Sequence, residues 1–408
     1  METGLRAWAR RAGAAALIVA AGLAWAPGGP ARAQGAASPA GGVQVPAAEA
    51  PAARSLRIER LDRRRSELVL DLSGPTPWRA FFLADPPRMA LDFGPVDWSQ
   101  TKARVDPDGL ASAARFGLFA PGRSRLVVDL ARPVRIRHGA LSDTRAGARL
   151  RLLLEETDAE SFAALAGWPD DARPAAPPPP PQTDGPPVVV IDPGHGGVDP
   201  GAIRGETMEK DLVLAFAQDL FAALEASGRW RPVMTRTGDV FVSLRDRVAF
   251  AEAAGAAAFL SIHVNALESG EATGASIHTL SREASSEEAA ALAAFENRAD
   301  LLAGVSLEGE GDDVARALID LSRRRTDKRS RGLGEALVDA LRGRAALLEG
   351  RAHSHAGFRV LKSPTVPSAL VELGFMSTEG DLEKIRDPAW RARVAAGMVE
   401  ALADWAGR

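Results

Sequence analysis

The 408-residue chain contains no cysteine and no tyrosine. Without cysteine, neither a disulfide nor a thiolate metal site is open to it. The missing tyrosine accompanies an abundance of alanine and is read as genomic bias. The chain also lacks an excess of either charge. Its 50 Lys and Arg and 53 Asp and Glu leave a net charge of −3, with both signs scattered along the sequence. That balance argues against a nucleic-acid surface, although clusters such as Arg323-Arg324-Arg325 stand out locally. Beyond Trp25 no stretch is long and apolar enough to cross a bilayer.

The N-terminus carries an address. Arg6, Arg10 and Arg11 precede a short apolar core, Ala14 to Trp25, and Ala31-Arg32-Ala33 matches a small-x-small cleavage site. The pattern predicts a signal peptide over residues 1–33, cut after Ala33, with export by the Sec or twin-arginine route. A soluble periplasmic protein without a stable membrane span is expected; an uncleaved anchor is the alternative. Residues 34–54 are rich in Ala, Gly and Pro, show no periodicity and read as disordered.

From 55 to 157 the texture changes. LRIERL, SELVLDL, RMALDFG, SRLVVDLARP and ARLRLLLEE alternate apolar and charged residues between turn formers, as an antiparallel β-sandwich does. Residues 170–187 contain five consecutive prolines, Pro177 to Pro181, and predict a semi-rigid spacer. Over 188–406 strands alternate with helical patterns, predicting an α/β domain with a mostly parallel sheet flanked by helices. Helix 209–225 is expected to be capped by Thr207, and further helices are expected over 243–254, 330–342, 380–386 and 389–405.

Candidate chemistry sits at the ends of those strands. VVVID, from Val188, breaks into a Gly/Pro loop holding Asp192 and His195. Glu209 opens a helix, His263 ends the strand FLSIHVNA, and Glu372 lies inside the apolar strand SALVELGF. Two histidines and a glutamate are N/O donors suited to Zn²⁺, and three protein ligands plus water is the catalytic arrangement. Glu206 competes with Glu209 for the acidic ligand. Asp192 and Asp199 are expected to fix the loop or support a ligand. A carboxylate in an apolar strand, such as Glu372, must be paired, hydrogen-bonded or functional.

Four ordered motifs, DPGHGGVDPGA from Asp192, Glu209-Lys210, Ser261-Ile262-His263-Val264-Asn265 and Val371 to Phe375, resemble those of the zinc-dependent N-acetylmuramoyl-L-alanine amidases of the amidase_3 family. The resemblance spans roughly Pro187 to the C-terminus. It implies Zn²⁺ held by His195, Glu209 and His263, with Glu372 moving protons while water attacks the amide between N-acetylmuramic acid and L-alanine. Asn265 and His355 are candidate substrate contacts, while His278 and His353 are weaker candidates. The β-region resembles the AMIN domain in texture and position, implying wall binding; a β domain without that role is the alternative. A carboxypeptidase acting within the peptide stem, or a non-catalytic wall-binding protein, are the competing functions.

Residues 281–327 exceed what the minimal family domain requires. SSEEAAALAAFENRADLL predicts a helix from a Ser cap, an acidic stretch Glu308 to Asp313 follows, and VARALIDLSRRR resumes helical period. Similarity to the cell-division amidases implies a regulatory helix covering the zinc until an activator, a degraded LytM-type domain, removes it. Glu288 is the first candidate for the blocking carboxylate, because it shares a face with Leu292 and Phe295. Glu296 is the second; a helix that only packs on the core is the alternative. The partners expected are peptidoglycan and that activator, with the chain itself a monomer.

Overall fold

The computed structural model describes residues 50–120, 122–169, 177–178, 185–267, 272–303 and 316–407, with the backbone alone for 302 and 316–324. The signal segment, most of 34–54 and of 170–187, and Glu308 to Asp313 lie outside the described residues. Two compact units result: one reaches Ala114 and resumes over Gly122–Ala172, and the other comprises Arg115–Pro121 and Arg173–Arg408.

The alternating runs between Ala53 and Glu156 form two sheets. β1 (Ala53–Arg60), β2 (Arg65–Leu72), β5 (Lys102–Val105), β8 (Val134–Thr144) and β9 (Gly147–Glu156) make one, in the order β5-β1-β2-β9-β8. Leu56 faces Leu70, Ile58 faces Leu68, and those two leucines face Leu150 and Leu152, so one face of the sheet is continuous buried hydrocarbon. β3 (Trp78–Leu83), β4 (Arg88–Phe93), β6 (Ala111–Ala120) and β7 (Arg123–Leu130) make the other, in the order β3-β4-β7-β6. The expected antiparallel arrangement holds except at the edge, where β5 runs parallel to β1. A short helix, α1 (Ala159–Leu165), follows, started by Asp158, whose side chain accepts from Ser161 N.

A charged pair lies in this core. Arg125 is fully buried, with Nε 2.5 Å from Asp92 Oδ1 and Nη2 3.0 Å from Oδ2. Its guanidinium also lies 5.3 Å from the Phe81 ring centroid and 5.4 Å from that of Trp168. Arg79 reaches the same carboxylate at 3.0 Å.

In the second unit six strands form one sheet, in the order β13-β10-β14-β17-β15-β16. They are β10 (Val188–Pro193), β13 (Arg231–Met234), β14 (Ala258–Asn265), β15 (Ser276–Leu280), β16 (His353–Ala356) and β17 (Ser368–Phe375). Every pair is parallel except β15 with β17. The apolar run of β10 is explained by burial on both faces. Val189 and Ile191 pack with α2 (Glu209–Ser227) and the later helices, while Val188 and Val190 pack with α3 (Leu244–Ala253) and α4 (Glu287–Glu296). α5 (Ala299–Leu302), α6 (Arg316–Leu341), α7 (Glu379–Arg386) and α8 (Pro388–Ala406) complete the domain. β11 (Ile203–Arg204) and β12 (Thr207–Met208) form a hairpin before α2.

Two local expectations are corrected. Thr207 does not cap α2: it sits in the hairpin opposite Arg204, and Met208 is the cap residue. No side-chain cap is needed, because the amides of Glu209 and Lys210 donate to the carbonyls of Ala202 (2.9 Å) and Pro200 (3.2 Å). The two separate helical stretches expected before Arg342 are a single helix of 26 residues, α6. Among the described residues no helix is long and apolar enough to cross a membrane.

Removing the carboxylate from the buried pair of the first unit should be costly, since it strands Arg125 away from water. Asp92→Ala should lose about 3–5 kcal/mol of unfolding free energy, read by denaturant titration followed through tryptophan fluorescence.

Candidate metal centre

His195 follows β10 in a loop that only glycine neighbours permit. The imidazole of His263, at the end of β14, packs so closely on Gly194 that a Cβ there would meet its ring atoms at 2.4–2.9 Å. Likewise a Cβ on Gly201 would fall 2.6 Å from Glu209 Oε2 and 2.7 Å from His195 Cδ2. His195 itself has φ +57°, the left-handed region. Glu209, first residue of α2, is fixed by two main-chain donors: Ala202 N reaches Oε2 at 2.9 Å and Val264 N reaches Oε1 at 3.0 Å.

These elements bring His195, Glu209, His263 and Glu296 together, all buried, with one donor atom of each within 4.8 Å of every other. His195 Nε2 lies 3.0 Å from Glu209 Oε1 and 3.5 Å from Glu296 Oε2, and His263 Nδ1 lies 3.2 and 3.0 Å from the same two oxygens. Neither nitrogen makes a hydrogen bond, so close carboxylates stand out of line with both rings. The other nitrogen of His195, Nδ1, is 2.9 Å from Asp199 Oδ2. In that contact Nδ1–H donates to the Asp199 carboxylate and the ring turns Nε2 toward the cluster, where it would offer its lone pair to a metal once deprotonated, as a histidine ligand requires. Two imidazoles and two carboxylates converging on one point, with two buried nitrogens unsatisfied, fit a divalent metal.

Glu372 lies in β17 in register with His263 and is fully buried. Neither of its carboxyl oxygens has a hydrogen-bond partner. Burial pushes its pKa well above the usual carboxylate range, and the acidic neighbours Glu296 and Glu209 push it the same way against the opposing His263 and His195. Asp192, which the sequence assigned to fixing the loop, is held by Arg247 at 2.6 Å, Thr235 at 2.5 Å and Ser261 at 2.7 Å.

The remaining candidates are more dispersed. Glu288 is exposed and pairs with Arg351 at 2.7 Å, away from the histidines. The carboxylate that α4 brings to them is Glu296, on the face buried with Ala289, Leu292 and Ala293. Asn265 lines a cavity of about 550 Å³ beside α4. His355 is exposed on β16, and its main chain pairs with Ser285. Glu206 takes no part in the cluster. His278 is buried beside Ser276 Oγ at 2.9 Å, and burial holds it neutral with a pKa lowered to about 4. His353 contacts Thr279 at 3.2 Å.

Burial alone would lower the pKa of His263, but Glu296 and Glu209 outweigh it and raise the value to about 10; His195 is raised well above its ordinary range in the same way, by Glu209, Asp199 and Glu296. In the metal-free protein both rings therefore carry protons at neutral pH, and a metal must displace them. Uptake near pH 7 should release roughly two protons and weaken steeply as pH falls. Calorimetry in buffers of different ionisation enthalpy reads that number directly.

The N-acetylmuramoyl-L-alanine amidase family profile matches residues 189–404, and the AMIN domain profile matches residues 55–152. The amidase AmiC of Escherichia coli O6:H1 is 33% identical over 345 residues, covering 79% of this chain and 82% of the relative. AmiC of Neisseria meningitidis serogroup B is 31% identical over 358 residues, covering 82% and 85%. Among solved structures, the amidase AmiC2 of Nostoc punctiforme aligns over 54% of this chain and 98% of its own at 25% identity and a TM-score of 0.38. With one profile spanning more than half its length and relatives matched across both regions, the chain belongs to the N-acetylmuramoyl-L-alanine amidase family and carries an AMIN domain ahead of its catalytic domain.

Proposed function

We propose that this amidase is a zinc enzyme of the periplasm, acting on peptidoglycan in daughter-cell separation, and that α4 keeps it closed until a LytM-type activator displaces it. The observation that carries the reading is the pair of unsatisfied imidazole nitrogens facing Glu209 and Glu296, with Glu372 buried and unpartnered in register beside them. His195, Glu209 and His263 would hold the metal. When bound, zinc supplies a Lewis acid that makes water nucleophilic near neutral pH and stabilises charge on the amide oxygen.

The chain's own residues do the rest. Glu372 takes the proton of the attacking water and returns it to the L-alanine nitrogen as the amide carbon–nitrogen bond breaks. Its burial keeps that proton from bulk water. Asp199 holds the His195 ring through Nδ1, and Gly194 leaves room for His263 against the loop. A carboxypeptidase would need the same donors, so the bond cut is read from products. Incubation with purified sacculi should release free stem peptides and leave unsubstituted glycan, and chelation should stop this until Zn²⁺ is restored. Glu372→Ala should abolish hydrolysis with zinc content near normal; a metal-free variant would reassign Glu372 to ligation.

Closure rests on Glu296, whose Oε2 lies 3.5 Å from His195 Nε2 and 3.0 Å from His263 Nδ1, where it would compete with water or substrate for the metal. Ser286 caps α4 by accepting from Ala289 N, Glu288 pairs with Arg351 at 2.7 Å, Asn297 just after the helix bridges Gly357 O (2.9 Å) and Arg359 N (2.7 Å), and Asp300 of the following α5 accepts from Leu244 N at 2.8 Å. The apolar face of α4 is mostly alanine, so the buried area is small and a partner needs to supply only a few kcal/mol to open it. Glu296→Ala should raise basal hydrolysis of sacculi at least tenfold without any partner, whereas Glu288→Ala should leave it at the wild-type level. Equal, low rates in both variants, each folded and zinc-loaded, would make the helix structural.

A further inference from the structure

Two arginines surround the loop that carries His195, and both are nearly closed off from solvent: Arg236, just after β13, is 3% exposed, and Arg247, on α3, is 2% exposed. A buried guanidinium is tolerated only when its donors are filled. Here most of them are filled by main-chain carbonyls. Arg236 donates from Nε to Pro193 O at 3.0 Å and from Nη2 to both Gly194 O at 2.8 Å and Lys210 O at 2.9 Å. Gly194 precedes His195 and Lys210 follows Glu209, so one nitrogen ties together the peptide units beside two of the metal-binding residues. Arg247 donates from Nη2 to His195 O at 2.6 Å, and from Nη1 to Pro193 O at 2.7 Å and Asp192 Oδ1 at 2.6 Å. Its Nε reaches Val242 O at 2.9 Å, fixing the fork to the start of α3.

The carbonyls of three successive residues, Pro193, Gly194 and His195, are thus all held by two planar forks. The need for this is local: a left-handed histidine is strained by roughly 1–2 kcal/mol and persists only where its surroundings over-determine it. Lysine carries its three donors on one atom and cannot reproduce the spread, planar donor pattern of the guanidinium fork.

We infer that Arg236 and Arg247 are positioning residues of the metal centre, setting the direction of His195 and the spacing of His195 to Glu209 through the backbone, without touching metal or substrate. The inference rests on the zinc reading above, and it predicts an effect on affinity for the metal itself. Zinc affinity of the full chain is measured by chelator competition for Arg236→Lys, Arg247→Lys and a control, Arg391→Gln. Arg391 also ties carbonyls, of Ile385 at 3.2 Å and Arg386 at 2.9 Å, and bonds Asp219 at 2.6 Å, but lies outside the cluster. The two site variants should bind zinc 10- to 100-fold more weakly and shift the visible bands of the cobalt-substituted protein. The control should change neither, although its metal-free form melts at a similarly lowered temperature. Affinities within about threefold of wild type in folded Arg236→Lys and Arg247→Lys would overturn the inference. Should Arg236→Lys not fold, Arg247→Lys is judged by the same criterion. A wild-type chain that takes up no zinc would instead overturn the functional reading.

Discussion

Four ionisable side chains whose donor atoms lie within 4.8 Å of one another, all buried, are the constraint on which this domain depends. Two carboxylates at that depth repel each other and have left water behind, a cost of several kcal/mol per charge unless positive charge stands between them. In the metal-free state the two histidines supply it, which is why their pKa values rise despite burial. The sheet makes the convergence possible. β10 and β14 are adjacent and parallel, so their C-terminal ends place His195 and His263 side by side, with ring centroids 4.9 Å apart. α2 then starts directly after the loop and delivers Glu209 with its carboxylate already fixed by Ala202 N and Val264 N. Parallel strands followed by crossovers gather sequence-distant residues at one edge of the sheet.

Much of this was legible in the sequence because it rests on backbone rules. The VVVI run read as a short strand, which the sheet buries on both faces, and the glycines around His195 read as room for close backbone approach, seen at Gly194 and Gly201. The β-region was read from alternation, so strands without it went unread: β3 is apolar almost throughout and β8 is largely exposed. The Thr207 cap failed for a tertiary reason, since loop carbonyls distant in register already served the helix amides. The choice between Glu288 and Glu296 was not decidable from periodicity. In EEAAALAAFE the alanines give the helix little apolar direction, and Leu292 belongs to the stripe of either glutamate. What separates them is where α4 docks: Ala289, Leu292 and Ala293 enter the core, and Glu296 enters with them. Arg236 and Arg247 carried no signal in the sequence, because a residue that grips carbonyls is anonymous until the loop folds around it.

In the proposed closed state the insertion and the metal centre would meet through charge as well as shape. A divalent ion held by Glu209 and Glu296 with two neutral imidazoles would be electrically balanced. Departure of Glu296 would leave Glu209 as the single acidic ligand and a net positive charge facing the cleft. The same departure would remove one of the two carboxylates that, besides burial, push the Glu372 pKa upward. In the proposed opening, movement of one glutamate would thus expose the metal-binding residues, strengthen the field that stabilises an oxyanion, and favour the ionised form of Glu372 that accepts a proton. A lid lacking a ligating carboxylate would block access alone. Placing the proposed block on a ligand would tie all three changes to a single short helix, capped by Ser286, bridged at its end by Asn297 and followed by α5, whose Asp300 accepts from the α3 amide of Leu244.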